Sequence, residues 1–326
     1  MASLPTFGFS TPAEEVTSTF SADIAGKNVI VTGASLHGIG YATARAIARE
    51  AALVIVTGYN AERLKLSAEG LRAEEGTKAQ IRTLTLDLTS YASVRRAAAE
   101  VNAYPEPLHV LINNAADSSG VYRITEDGHD AQMQTDYFGP WLFTKLLVPK
   151  LLKSAQGTDF VPRVVVVSSG AYRFVEGINY ATLRRPESKP AVMMRYAETK
   201  TAGILFAAEL ARRAGGKLLA FSLHPGIIFT NTHMKDAMQD SMKQIGVLKA
   251  DGSKNPETPW KTLSQGAATT VVAAFDSRIA DKSGAFLEDC NDASDTLTPY
   301  CSDPENGKKL WKATEEIVGE VFNVEI

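Results

Sequence analysis

Thr32-Gly33-Ala34-Ser35-Leu36-His37-Gly38-Ile39-Gly40 follows a short apolar run, Asn28 to Thr32, and leads into a segment of helical period from Tyr41 to Arg49. Glycine lets a backbone turn tightly and approach a pyrophosphate, while the helix behind it offers free N–H groups and a favourable dipole. A glycine-rich turn alone is weak evidence. Strand, turn and helix in that order make the arrangement that cradles a dinucleotide. Gly33, Ser35, His37, Gly38, Ile39 and Gly40 are therefore candidate cofactor-binding residues.

Outward from this turn, further short runs recur: Leu53 to Thr57, Ile81 to Leu86, Val110 to Asn113, Val164 to Val167 and Leu218 to Leu223. They alternate with helical stretches such as Ser90 to Val101 and Thr199 to Arg213. Such alternation predicts a parallel sheet, and runs that are apolar almost throughout predict strands covered on both faces. The expected fold class is α/β, a single doubly wound parallel sheet (a Rossmann fold) with helices on both faces. Residues 1–25 read as an N-terminal extension and 26–326 as one domain, with substrate-side insertions at 171–195 and 231–261. Asp251 to Trp260 reads as a loop, and Asp303 to Val321, with Pro304 near its start, as a closing helix.

The composition is that of an ordinary globular chain: 326 residues, 44% hydrophobic, 22% charged. A net charge of -3 leaves no electrostatic footprint for nucleic acid or an anionic membrane surface. Cys290 and Cys301 are too few for a disulfide framework and have no paired metal spacing, which points to a reducing compartment and to no metal. The first 19 residues hold no basic region followed by an apolar run, and no stretch reaches the roughly 18 apolar residues of a membrane span. A cytoplasmic protein with no membrane span is expected.

Sites specific for NAD place an acid on the ribose about 20 residues beyond the last glycine. Here that region reads Gly58-Tyr59-Asn60, with no carboxylate to repel a 2′-phosphate, and His37, Arg63 and Lys65 are within reach. NADP (NADPH) is thus favoured over NAD. The plainer reading of Arg63 and Lys65 is the solvated face of the next helix. Asp87, ending the third strand, is expected beside the adenine.

Tyr196 and Lys200 stand four apart, on one face of a helix. An ammonium beside a phenol favours the phenolate, which a general acid or base near neutrality requires. The bland alternative is an exposed helical pair. Val164 to Val167 end in Ser168 and Ser169, where ligands of open α/β sheets sit. Ser169 is expected to orient a substrate carbonyl, Tyr196 to protonate it, and Lys200 to tune Tyr196 and hold the ribose. Ser168 is expected only to satisfy local hydrogen bonds.

In order from Gly26 to Cys290, these residues resemble the classical short-chain dehydrogenase/reductase family. The family's Asn-Asn-Ala-Gly motif is resembled by Asn113-Asn114-Ala115-Ala116, its adenine-side Asp by Asp87, followed by Leu88, and its Pro-Gly-x-x-x-Thr element by Pro225, Gly226, Ile228 and Thr230. The resemblance makes Ser169, Tyr196 and Lys200 catalytic, with Asp136 where the family carries a fourth catalytic residue, an Asn. It makes Asn114, Ala115, Pro225, Gly226, Ile228 and Thr230 cofactor contacts. Finer features, Thr125-Glu126-Asp127-Gly128, Leu223-His224-Pro225-Gly226 and Gly284 to Cys290, are similar to the retinol-dehydrogenase-like and WW-domain-oxidoreductase-like branch, which includes fungal reductases of secondary metabolism. The 27 positions from Ser169 to Tyr196 also suit that branch. The resemblance implies NADP and a lipophilic alcohol or carbonyl.

Five of the seven methionines, Met193, Met194, Met234, Met238 and Met242, flank the reacting end together with Tyr172, Phe174, Ile178 and Phe229. Methionine adapts to irregular apolar shapes, so a pocket for a bulky lipophilic ligand is expected, with core packing as the alternative. Family members pair through the helices that here hold Gln132 to Leu147 and Tyr196 to Arg213, so a homodimer is expected too. The leading function is ketoreductase or alcohol dehydrogenase activity. The alternatives are a non-redox cyclisation or isomerisation on the same fold, or a non-catalytic NADPH-binding sensor.

Overall fold

The structure, a computed structural model, describes residues 5–117, 119–230 and 236–324. Two short helices, α1 (Ala13–Thr19) and α2 (Ser21–Ile24), precede β1 (Asn28–Val31), α3 (Ile39–Ala48), β2 (Leu53–Gly58), α4 (Ala61–Ala73) and β3 (Gln80–Thr85). Next come α5 (Tyr91–Ala103), β4 (Val110–Asn113), α6 (Ala131–Met133), a π-helical turn (Gln134–Phe138), α7 (Gly139–Ser154), β5 (Arg163–Val167) and a 3₁₀ turn (Gly170–Phe174). The chain continues through α8 (Val192–Ala214), β6 (Leu219–His224), β7 (Ile227–Ile228), α9 (Asp236–Gln244), β8 (Trp260–Lys261) and α10 (Leu263–Phe275). It ends with β9 (Phe286–Glu288), β10 (Asn291–Asp292), α11 (Pro299–Ser302) and α12 (Pro304–Val318).

Eight strands form one sheet in the order β10-β9-β6-β5-β4-β1-β2-β3. All neighbours are parallel except β10, which returns antiparallel to β9, so the sheet is mostly, not wholly, parallel. The order reverses between β1 and β4, registered by Val29 opposite Val110 and Val31 opposite Ile112. Such a reversal opens a crevice at the carboxyl ends of the strands.

Because successive strand residues point to opposite faces, each strand feeds two cores. Ile30, Leu111, Val164 and Val166 face the side covered by α5, α7, α8 and α12. Val29, Val31, Val110, Ile112, Val165 and Val167 face the side covered by α1, α3, α4 and α10. The six expected strands are present within a residue or so of their expected ends. The helix expected from Thr199 begins two turns earlier, at Val192, and so takes the end of the 171–195 segment into regular structure. The stretch after Thr230 carries α9, and its closing residues pair with β7.

Residues of the N-terminal segment pack on the domain. Ala13 donates its N–H to Ser264 Oγ at 3.0 Å, Glu14 pairs with Arg45 at 2.8 Å, and Val16 and Phe20 are buried. At the other end, Asp303 caps α12, whose first residue is Pro304, and Gly319 ends it in a left-handed conformation.

Candidate active site

The glycine turn is braced from the neighbouring strand. Thr32 Oγ1 accepts the N–H groups of Asn114 at 2.9 Å and Ala115 at 3.0 Å, and the Asn114 amide donates back to the carbonyls of Thr32 at 2.8 Å and Gly33 at 3.3 Å. These bonds tie the loop after β4 to the turn after β1 across the crevice. Gly33 has φ +68°, and a Cβ there would stand 2.7 Å from Ala115 Cα; one on Gly40 would stand 2.4 Å from Asn114 Nδ2. Neither position has room for a side chain. His37 is exposed and also left-handed, at φ 62°. Asn60, Ser90 and Thr262 cap α4, α5 and α10, but α3 has Gly38 at its N-cap and so no side-chain cap. An uncapped helix start behind a glycine turn, near Ser35 and Ile39, fits a pyrophosphate.

Beyond β2, Tyr59 is 69% exposed, and the Asn60 side chain accepts the Arg63 N–H at 3.0 Å, starting α4 with Arg63 at the surface. Lys65 stands 4.0 Å from Glu69 on the solvated face of that helix. Asp87 Oδ1 accepts the N–H and hydroxyl of Thr89 at 2.9 and 2.7 Å, which fixes the carboxylate at the end of β3. Leu88 is buried behind it, its carbonyl against Gly139.

On the reacting side, Tyr196 and Lys200 share one face of α8, with Lys200 Nζ 5.2 Å from the Tyr196 ring centre. Lys200 is buried; its Nζ donates to the Val167 carbonyl at 3.4 Å and lies 3.6 Å from Asp136 Oδ2. Burial works against the ammonium, yet Tyr196 and Asp136 outweigh it and hold Lys200 above its ordinary value. Ser168 gives its hydroxyl to the Lys200 carbonyl at 2.8 Å, a use internal to the fold. Ser169, the next residue, accepts the Ala171 N–H at 3.2 Å at the mouth of the crevice.

Asp136 sits in the π-helical turn that joins α6 to α7. Pro140 has no N–H to give to the preceding turn, and the Gly139 N–H reaches back to the Gln134 carbonyl, so the helical ladder is interrupted just there; a Cβ on Gly139 would meet the Leu88 carbonyl oxygen at 2.5 Å. The carboxylate is buried, which pushes its pKa up to about 6 against the pull of Lys200. Oδ1 accepts the Asp117 N–H at 2.6 Å and Oδ2 the Thr199 hydroxyl at 3.0 Å.

Pro225 and Gly226 follow β6, with Gly226 at φ +90° and a Cβ position 2.6 Å from Lys261 Cδ. Lys261 is itself buried, its ammonium 2.5 Å from Asp289. Ile228, expected as a cofactor contact, lies in β7 beside β8, with its side chain against Gly266 of α10. Thr230 is half-buried at the end of the described segment.

The apolar wall is only partly as expected. Tyr172 is fully buried, donating its hydroxyl to the Thr296 carbonyl at 3.0 Å and packing on Phe286, and Met238 and Ile178 are buried as well. These three are core residues. Met234 lies outside the described residues. Phe174 and Met194 are 46% and 45% exposed, Met193 and Met242 half-buried, and Phe229 packs on Trp260. A cavity of about 490 Å³ is lined by Val175, Pro186, Pro190 and Met194, with Arg195 and Glu198.

Arg195 was not singled out in the sequence. It is buried, pairs with Asp130 at 3.1 Å and Glu198 at 2.5 Å, and donates to the Leu183 carbonyl at 3.0 Å, tying the 171–195 segment to the start of α8. Thr32, Asp117 and Thr199 were missed in the same way. Thr32, directly before the glycine turn, and Thr199, between Tyr196 and Lys200, carried a signal by position; Asp117 carried none. Among the described residues no group of His, Cys, Asp and Glu is placed to hold a metal, and no helix is long and apolar enough to cross a membrane.

Residues 27–241 match the family model described as short chain dehydrogenase. The chain is 34% identical over 306 residues to a WW domain-containing oxidoreductase from Danio rerio, covering 91% of this chain and 70% of that one. It is 34% identical over 304 residues to retinol dehydrogenase 14 from Mus musculus, covering 90% and 86%. A crystal structure of a Mycobacterium paratuberculosis protein superposes with a TM-score of 0.69 at 26% identity, over 93% of this chain and 98% of that one. The resemblance to the retinol-dehydrogenase-like and WW-domain-oxidoreductase-like branch is thereby borne out.

Proposed function

The chain belongs to the short-chain dehydrogenase family of oxidoreductases, and from that premise we propose that it is an NADP(H)-dependent ketoreductase or alcohol dehydrogenase acting on a bulky lipophilic small molecule. The observation that carries this reading is the Tyr196–Lys200 face of α8, set against the end of β5 where Ser169 emerges. A nicotinamide dinucleotide, when bound, supplies or accepts the hydride. Gly33, Gly40, Asn114 and Ala115 shape the turn that would hold its pyrophosphate, and the stretch Gly58-Tyr59-Asn60 at the end of β2 carries no carboxylate to repel a 2′-phosphate.

Ser169 then orients the substrate oxygen, and Tyr196 gives it a proton in reduction or removes one in oxidation. Lys200, held charged under the ring, steadies the phenolate side of that exchange. Val121, Phe174 and Met194 leave apolar surface at the 119–122 and 174–194 segments, which supports a lipophilic substrate. The two buried thiols, Cys290 and Cys301, accord with a reducing, cytoplasmic location. Trp311 of α12 packs on Trp141 of α7 and Phe206 of α8, so a homodimer through α7 and α8 would use the parts of them that α12 leaves open.

The test is oxidation of NADPH, with NADH in parallel, against a panel of lipophilic ketones, aldehydes and quinones. Tyr196→Phe is expected to lower kcat by about 10²–10⁴-fold while NADPH affinity persists. Tight NADPH binding without oxidation of any panel member would overturn the reductase reading in favour of a non-redox reaction or a cofactor sensor.

A further inference from the structure

Asp136 meets three donors, and their arrangement calls for a carboxylate. Oδ1 receives the Asp117 N–H at 2.6 Å, from the loop that follows β4 and carries Asn114 and Ala115. Oδ2 receives the Thr199 hydroxyl at 3.0 Å and faces Lys200 Nζ at 3.6 Å, both from α8. The Thr199 hydroxyl also lies 2.8 Å from the Tyr196 carbonyl and shares its single proton between the two acceptors. The charged and titratable groups that face Asp136 are Lys200, with Tyr196 above it, on α8, and Asp117 on the loop.

An amide in this place would keep most of these contacts. Its oxygen would still accept from Asp117, and its NH₂ would donate to Thr199, whose proton would then go wholly to the Tyr196 carbonyl. Toward Lys200, however, a donor would confront a donor, and the attraction at 3.6 Å would be lost.

We propose that Asp136 is a positioning residue whose ionised carboxylate clasps the loop after β4 to α8 and holds the Lys200 ammonium beneath Tyr196, so that protonating it frees Lys200 from this hold even as it relieves the fold of a buried charge. The consequence for turnover rests on the reductase reading; the electrostatic link between Asp136 and Lys200 does not. Asp136→Asn is the informative variant because it keeps the clasp and removes the charge, whereas Asp136→Ala removes both.

Two measurements test the proposal. The first needs no turnover: melting temperature from pH 4 to 8 for the wild type, Asp136→Asn and Lys200→Met. The folded Asp136 carboxyl holds its proton up to about pH 6, an unfolded one only to about 3.8. That proton therefore stabilises the fold at low pH, and the stabilisation is lost as pH rises through 6. The melting curve of Asp136→Asn should gain on the wild type over that window, and Lys200→Met should move the wild-type transition upward by about one unit, since an attracting cation is gone. Parallel curves for wild type and Asp136→Asn, or an unmoved transition in Lys200→Met, would sink the proposal.

The second is the pH profile of NADPH oxidation. Wild-type kcat should fall through an acid limb near pH 6 with KM little changed, and Asp136→Asn should lose that limb while running about tenfold slower at pH 8. An acid limb that persists unchanged in Asp136→Asn overturns the proposal and leaves the reductase reading standing. Diverging melting curves in a protein that oxidises NADPH with no substrate do the reverse.

Discussion

Gly40 has space for a hydrogen and nothing larger: a Cβ would meet Asn114 Nδ2 at 2.4 Å and the Gly33 carbonyl at 2.6 Å. Gly40→Ala should push the Asn114 amide off the Thr32 carbonyl, lower NADPH affinity at least about tenfold, and cost about 1–3 kcal/mol of stability as overpacking does. Fluorescence titration and urea unfolding measure the two effects. Gly8→Ala, whose Cβ would meet nothing within 4 Å, is the control expected to change little. The glycines, Tyr196 and Lys200 could be read from the sequence because each motif is local. Asn114 as the brace of the turn could not, because its partner Thr32 lies 82 positions away and meets it only when β4 pairs with β1.

The helix that carries Tyr196 starts at Val192, earlier than its apolar spacing suggests, because the first turns are held by charge instead of by an apolar stripe. Arg195 satisfies Asp130, Glu198 and the Leu183 carbonyl at once with only 2% of its side chain exposed, and Glu198 in turn accepts the Asn179 N–H at 2.9 Å. Removing one partner from such a buried network leaves uncompensated charge. Arg195→Ala is therefore expected to lose about 3–5 kcal/mol in urea unfolding and to free residues 179–190 to proteolysis before the rest of the chain. A charged residue inside a longer insertion reads as solvated surface in one dimension, and only the packed segment shows it to be interior. The π-helical turn at Gln134–Phe138 is similar: Pro140 is visible in the sequence, but the reach of the Gly139 N–H back to the Gln134 carbonyl is not.

Across the whole molecule, the C-terminal helix is part of the core. Trp311 is 1% exposed, stacks on Phe322 at 4.7 Å and meets Trp141 and Phe206 at 5.9 Å, while Glu320 pairs with both Arg95 of α5 and Lys145 of α7. Trp311→Ala should cost about 3–5 kcal/mol, read as a lowered urea midpoint, since it empties the join between α7, α8 and α12. The sequence by itself determined the α/β order, the strands, the glycine turn, the Tyr-Lys pair and the family resemblance. All of these are written in local period or short spacing, which the backbone obeys wherever the segment ends up. Only the tertiary structure decided that Tyr172, Ile178 and Met238 are core instead of pocket wall, that Ile228 lies against Gly266, that Arg195 anchors an insertion, and that Asp136 faces Lys200. Each of those depends on which distant segments exclude water together, and burial is a property of the packed chain that no single stretch contains.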